Sequence, residues 1–554
     1  MAILTEPLTD HKPADGTIWL DGASLTVEDI VAVARGAAGD PKVRIGAEAR
    51  ARTIAVRQYV EEHWLSPEAP PIYGINTGLG RLMDVRVPPE DLDRFQRLII
   101  NAHSAGVGEP FEIEVVRALL LLRVNALSKG VSGVRVECLD RLVEMLNRGV
   151  HPVIPCQGSV GASGDLAPLA HLVSVMIGHE QAEAFYEGSR LPARSALVQA
   201  GMEPSFELGA KDVLAMINGS TVSLASAVLS LADAELLAKT ADISLSLTLE
   251  AVRGESRAFD DRIQVARNAP GQRAVAENVR RITEGSARMT ERARQVRFPD
   301  EHRANGVYRP RVQDAYSLRC APQVHGAARE SLGFARTLLE RESNAATDNP
   351  LIFPDGEGGY DVISGGNFHG EPIGYAADLI AMVVAELGAI SERRSFRLTD
   401  PNLSYGLPLN LVGGQLGLNT GFSIVHCSAS AIVSENRLLA MPSVTDSIPG
   451  KANQEDHVSM CTYSARKARQ AVRNTQAILG VELILASQAV DLSAPWLEDS
   501  ALGAGTAAAM ARVRRDIPVT HEDTYQSAHM VAAQDLVAGG EVVAAVEQVA
   551  GGLR

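Results

Sequence analysis

Residues 221–253 read TVSLASAVLSLADAELLAKTADISLSLTLEAVR, a helical pattern that stays apolar most of the way round. Such a helix is about twice the mean globular length or more. It must be packed on several sides, which makes it an inner member of a bundle. Four further long patterns follow at 318–341, 370–396, 418–441 and 464–487. The expected fold class is mainly α, a long-helix bundle whose ends or seams carry function. The least charged stretch, 215–232, approaches membrane-spanning length. It carries Asn218, Gly219 and several hydroxyls and is poor in Leu, Ile and Phe, so it reads as a buried helix and no membrane partner is expected.

The 554 residues are 46% hydrophobic and 21% charged, which excludes disorder and collagen-like repeats. Lys and Arg number 52 against 67 Asp and Glu, a formal charge of −15, and no basic block occurs. A nucleic-acid-binding surface is therefore not expected. Cys138, Cys156, Cys320, Cys427 and Cys461 are odd in number and never form a C-x-x-C pair. They suggest neither a disulfide framework nor a thiolate metal site, and read as reduced thiols of a cytoplasmic protein. The opening MAILTEPLTDHKPADG has no positive region followed by an apolar one, so no secretory leader is expected.

The first elements read as a short strand at 17–20, a turn at Gly22, and a helix from near Thr26 to Gly36. Helical patterns then alternate with Gly- and Pro-rich connections to about residue 215. Two connections, IYGINTGLGRL (72–82) and PCQGSVGASGDLAPLAHL (155–172), are dense in Gly, Ser, Thr and Asn, as site-bearing loops often are. The Arg- and Glu-rich segment 257–305 reads as a solvated helical excursion. Gln313, Tyr316 and Arg319 lie three apart, so a helix would set them on one face.

Phosphate-loop, dinucleotide, zinc-protease and nucleophile-elbow motifs are missing from the sequence. In 158–168, GSVGASGDLAP, Asp165 and Pro168 could simply cap and open a helix. The sharper reading is that Ala162-Ser163-Gly164 closes on itself. The Gly164 nitrogen attacks the Ala162 carbonyl, and water is lost together with the Ser163 hydroxyl. Small neighbours are needed for so tight a closure. The product would be an electrophile that no ordinary side chain supplies.

Taken with YGINTGLG, INGS, QDAYSLRC, NAATDNPL, SGGNFHGEP, LSYGLP and NQEDHVSM, this loop resembles the aromatic amino acid ammonia-lyase and 2,3-aminomutase family over about residues 20–500. The resemblance implies a fold similar to the aspartase and fumarase superfamily, with a smaller mixed N-terminal region carrying the cyclising loop. It implies the prosthetic group 4-methylideneimidazol-5-one (MIO), formed from Ala162-Ser163-Gly164, with no external cofactor. It also implies a homotetramer whose sites draw on several subunits. The regions expected are 1–215 with both loops, 216–490 as the helix bundle, and 491–554 as a C-terminal helical part.

Carried over motif by motif, Tyr73 matches the catalytic tyrosine, whose phenol would need its pKa lowered to act as a base near neutrality. Asn218 matches a residue beside the ring, where an amide donor could stabilise developing negative charge. Arg319 matches the partner of the substrate carboxylate, with Gln313 implied as a further substrate-binding residue and Tyr316 as a catalytic one. Phe368 matches an aromatic residue closing over the prosthetic group. Glu455 stands where histidine-acting members carry Glu, and His103 occupies their ring-selecting position. A carboxylate can hold an imidazole N–H, whereas a benzene ring would leave it unpaired. Ala102, Leu79, Ser423 and Asn101 depart from the histidine pattern around the expected pocket. The implied reaction is L-histidine to trans-urocanate and ammonia. The alternatives are a histidine 2,3-aminomutase, a tyrosine or phenylalanine ammonia-lyase, and a silent homologue serving as a binding protein.

Overall fold

A computed structural model describes residues 16–296, 298, 311–497 and 500–554. The opening segment read for a secretory leader lies outside them up to residue 15, as do 297 and 299–305 of the charged excursion. Ile18–Leu20 pairs in parallel with Val43–Ile45. Between them Thr26 caps the Val27–Arg35 helix reciprocally with Asp29, and Gly36 ends it.

The long helices are Thr221–Ala251, Ala321–Ser343, Glu371–Thr399, Ser423–Leu439 and Cys461–Ser493. Mainly helical architecture is thus observed. Thr221–Ala251 is buried along nearly its whole length, including Ser226, Ser230, Ser246 and Thr248. Its hydroxyls are satisfied locally: Ser230 donates to the Ser226 carbonyl and Ser246 to that of Asp242, each at 2.7 Å. Three helices are long and apolar enough to cross a membrane, yet 67–83% of their apolar windows is buried inside the protein. The expected 418–441 helix is shorter at its start, because the backbone N–H groups of Thr420 and Gly421 bond the Asp523 carboxylate instead of entering a helix.

The chain divides into two compact units, each drawn from three stretches. One comprises the described residues up to Ser230 with Ala335–Asp378 and Pro442–Arg466; the other comprises Leu231–Phe334, Leu379–Met441 and Lys467–Arg554. Four of the five divisions fall inside long helices, and the fifth, between Met441 and Pro442, lies just past the end of Ser423–Leu439; none is at 215 or 490.

The second unit buries a charged network. Arg394 grips Glu482 at 2.5 and 2.7 Å, and Thr248 and Ser391 donate to the same carboxylate. Asp242 accepts from Asn278, Arg329 and His325. Removing one partner strands the other charge in the interior. Arg394→Met is therefore expected to destabilise the protein by about 3–5 kcal/mol, measurable by denaturant titration. The excursion at 257–305 is not a plain solvated surface. Its Pro270–Ile282 helix buries Val275, Ala276, Val279 and Ile282, an apolar stripe hidden among arginines.

Candidate active site

The Ala162-Ser163-Gly164 loop and its surroundings lie in the first unit. Gly164 has φ +84°, and a Cβ there would stand 2.1 Å from the Gly219 backbone. Only glycine permits this approach. The contact is fastened by two bonds, Gly219 N–H to Ser163 carbonyl at 3.1 Å and Asp165 N–H to Gly219 carbonyl at 2.9 Å. Asp165 heads the Leu166–Met176 helix, but its side chain does not cap it. Instead the buried carboxylate accepts from the Ser159, Ser223 and Thr462 hydroxyls and the Ser223 N–H. Burial pushes its pKa up against the pull of those donors. Among the described residues, neither the Gly164 N–H nor the Ala162 carbonyl is engaged in a hydrogen bond.

Ser163 faces a cavity of about 1180 Å³ lined also by Tyr73, Leu79, His103, Ala162, Asn218, Phe368 and Glu455. Seven expected site residues thus meet around one space, and Gly164 follows Ser163 without itself being a lining residue. The Ser163 hydroxyl donates to Glu455, whose carboxylate also pairs with Lys451 at 2.7 Å. His103 ends the Leu92–His103 helix and bonds the Ile99 carbonyl through Nδ1 at 2.8 Å. A carbonyl only accepts, so Nδ1 carries the proton and neutral His103 keeps Nε2 as an acceptor. Burial lowers its pKa and favours that neutral form.

Two expectations change here. The Tyr73 phenol is pushed up, first by burial and further by the charges of Glu455 and Asp348, although the Gly80 N–H bonds its oxygen at 3.3 Å. The expected lowering is not met within one chain. The Asn218 amide does not turn its donors to the cavity. Its Nδ2 lies 3.3 Å from both Asp348 Oδ1 and the Asn349 carbonyl.

Gln313, Tyr316 and Arg319 are not among the lining residues and belong to the second unit. They do not share a helix face. The helix there is only Tyr316–Arg319, because buried Asp314 accepts from Arg311 and the Glu255 N–H and holds the preceding residues out of it. Gln313 is exposed, Tyr316 is 71% exposed, and Arg319 stacks 4.7 Å from the Tyr316 ring. Of the departures, only Leu79 lines the cavity. Asn101 and Ala102 are exposed beside His103, and Ser423 opens a helix in the second unit.

Residues 25–515 match the family described as aromatic amino acid lyase. The chain belongs to the aromatic amino acid lyase family. It is 46% identical over 532 residues to a histidine ammonia-lyase of Symbiobacterium thermophilum, covering 96% of this chain and 99% of that protein. The crystal structure of histidine ammonia-lyase from Trypanosoma cruzi superposes with a TM-score of 0.84 at 38% identity, over 96% and 95% of the two chains. A tyrosine aminomutase from Streptomyces globisporus gives a TM-score of 0.87 at 36% identity, over 96% and 99%.

Beyond the residues expected of an aromatic amino acid lyase, the cavity holds Lys451, His369 and His457. The two imidazoles lie parallel with centroids 5.9 Å apart. Behind Asn218, fully buried Arg123 donates to the Asn218 carbonyl at 2.7 Å, and burial lowers its pKa to about 10. Lys211, also fully buried, pairs with Asp348 at 2.5 Å. A lysine and an arginine within apolar sequence signal a buried ion pair, but their partners are too distant along the chain for spacing to reveal.

Proposed function

We propose that this protein eliminates ammonia from L-histidine to give trans-urocanate, using MIO formed from its own Ala162-Ser163-Gly164. The observation that carries the substrate is Glu455, a carboxylate on the cavity wall beside Ser163, in a cavity that also holds a neutral His103. A protonated imidazole can donate to both Glu455 and His103 Nε2, and a neutral one to either of them, whereas a phenyl ring would strand both acceptors. The names of the relatives point the same way.

The loop fits the cyclisation. The atoms that would join, Gly164 N and the Ala162 carbonyl carbon, have no competing hydrogen bonds among the described residues, and Gly164 has no side chain to obstruct them. One water takes the Ala162 oxygen with the Gly164 and Ser163 amide hydrogens. The second takes the Ser163 hydroxyl with its α-hydrogen. The resulting methylene is an electrophile for the substrate's amino group. Glu455, or Tyr73 once deprotonated, accepts the β-proton. Close orientation by the walls contributes much of the barrier lowering.

The substrate carboxylate also needs a cation. Among the described residues Lys451 is the one lysine or arginine lining the cavity, and it is already paired with Glu455. We infer that Arg319, with Gln313 and Tyr316, enters this site from a neighbouring copy in a homotetramer. The exposure of Tyr316 and Gln313 and the breadth of the cavity support this. Five free cysteines suit the reducing cytoplasm. The likeness to an aminomutase keeps one second reading, return of the amine to the β-carbon to give β-histidine.

The test is product analysis. Purified protein is incubated separately with L-histidine, L-tyrosine and L-phenylalanine, and acrylates and β-amino acids are followed by mass spectrometry. Urocanate and ammonia from histidine are expected. A substantial β-histidine fraction would make the enzyme a mutase, and turnover of tyrosine or phenylalanine alone would overturn the substrate.

A further inference from the structure

The Asn218 side chain has a donor end and an acceptor end, and its neighbours decide which faces the cavity. Nδ2 sits 3.3 Å from Asp348 Oδ1 and 3.3 Å from the Asn349 carbonyl oxygen. Both are acceptors, so the NH₂ group must point at them. Asp348 is held in that role from two sides. Lys211 donates to its Oδ2 at 2.5 Å, and the Asn349 N–H donates to its Oδ1 at 2.7 Å. Among the described residues no donor reaches Asn218 Oδ1, and Asn218 lines the cavity.

We propose that the buried Lys211–Asp348 pair is a positioning device, which turns the Asn218 carbonyl oxygen toward the cavity to accept an N–H of the substrate's α-amino group. The pairing chemistry excludes the substrate carboxylate as partner, since two acceptors facing each other repel. The device discriminates for the amine and aims its nitrogen; Lys211 and Asp348 themselves touch no substrate. This proposal rests on the amino acid lyase reading above.

Asp348→Asn reverses the logic. Lys211 would claim the new side-chain oxygen, leaving an NH₂ toward Asn218. The Asn218 NH₂ would then be opposed by the new NH₂ and held only by the Asn349 carbonyl, so the Asn218 oxygen would no longer be fixed toward the cavity. Adding Lys211→Met frees the introduced amide to turn its oxygen back to Asn218, which restores the native orientation.

The test measures binding by calorimetry in full-length protein carrying Ser163→Ala, so that no turnover occurs. The probes are L-histidine and 3-(imidazol-4-yl)propionate, its analogue without the amino group. Asp348→Asn is expected to weaken L-histidine by roughly tenfold or more while moving the analogue by less than about twofold. The Lys211→Met/Asp348→Asn double variant is expected to recover most of the lost preference. Equal weakening of both ligands would reduce the pair to a structural role and overturn the proposal, as would no change in either. A double variant that folds, by its thermal transition, yet regains no preference would overturn it too. If product analysis names another amino acid, the substrate reading fails separately. The same comparison then runs with that amino acid and its analogue lacking the amine.

Discussion

Ser163→Ala is expected to abolish turnover, by at least roughly 10³-fold in kcat, while leaving the thermal transition within error of the native one. The hydroxyl supplies the oxygen of one departing water, and its Cβ becomes the methylene carbon. Alanine has the carbon without the leaving group. The variant loses one hydrogen bond to Glu455 but keeps both backbone bonds between 163–165 and Gly219. Intact-mass measurement reads the chemistry independently of activity. The native protein should weigh two waters less than its sequence, and the variant should match its own. Unchanged turnover in the variant would refute the prosthetic group.

Glu455→Gln should lower kcat/KM for L-histidine by roughly 10- to 100-fold and affect L-tyrosine less, shifting the ratio toward the phenol. The carboxylate can receive an imidazole N–H as a charge-assisted bond; the amide offers a neutral acceptor and an unwanted donor. The change also strips Lys451 of its partner. Because the Ser163 hydroxyl rests on the same carboxylate, mass should be checked before kinetics are compared. An unchanged ratio would remove Glu455 from substrate choice.

The bundle was legible because residues 221–253 are apolar on every side, and burial on every side is the one setting that rewards this. The 157–165 loop was legible because its glycines permit backbone contacts that other residues forbid. What escaped reading depends on partners far away in sequence. The Asn218 amide direction follows from Asp348, 130 positions on, and from the Lys211 behind it. Gln313 leaves the helix through the bonds that Asp314 makes with Arg311 and Glu255. The buried stripe of Pro270–Ile282 was masked by the arginines on its outer side.

The bonds that shape the Ser163 loop also date its chemistry. When the ribosome has released Ser163, the strip at Gly219 that bends the loop is still being made. The Glu455 that takes the hydroxyl comes 292 positions later, and the Thr462 that steadies Asp165 lies 297 beyond its partner. On the proposed cyclisation, ripening would therefore belong to the finished chain and not to the nascent one. A translation product cut short before residue 455 carries the three residues as ordinary peptide, and cell-free synthesis followed in time should find release first and the lighter mass afterwards.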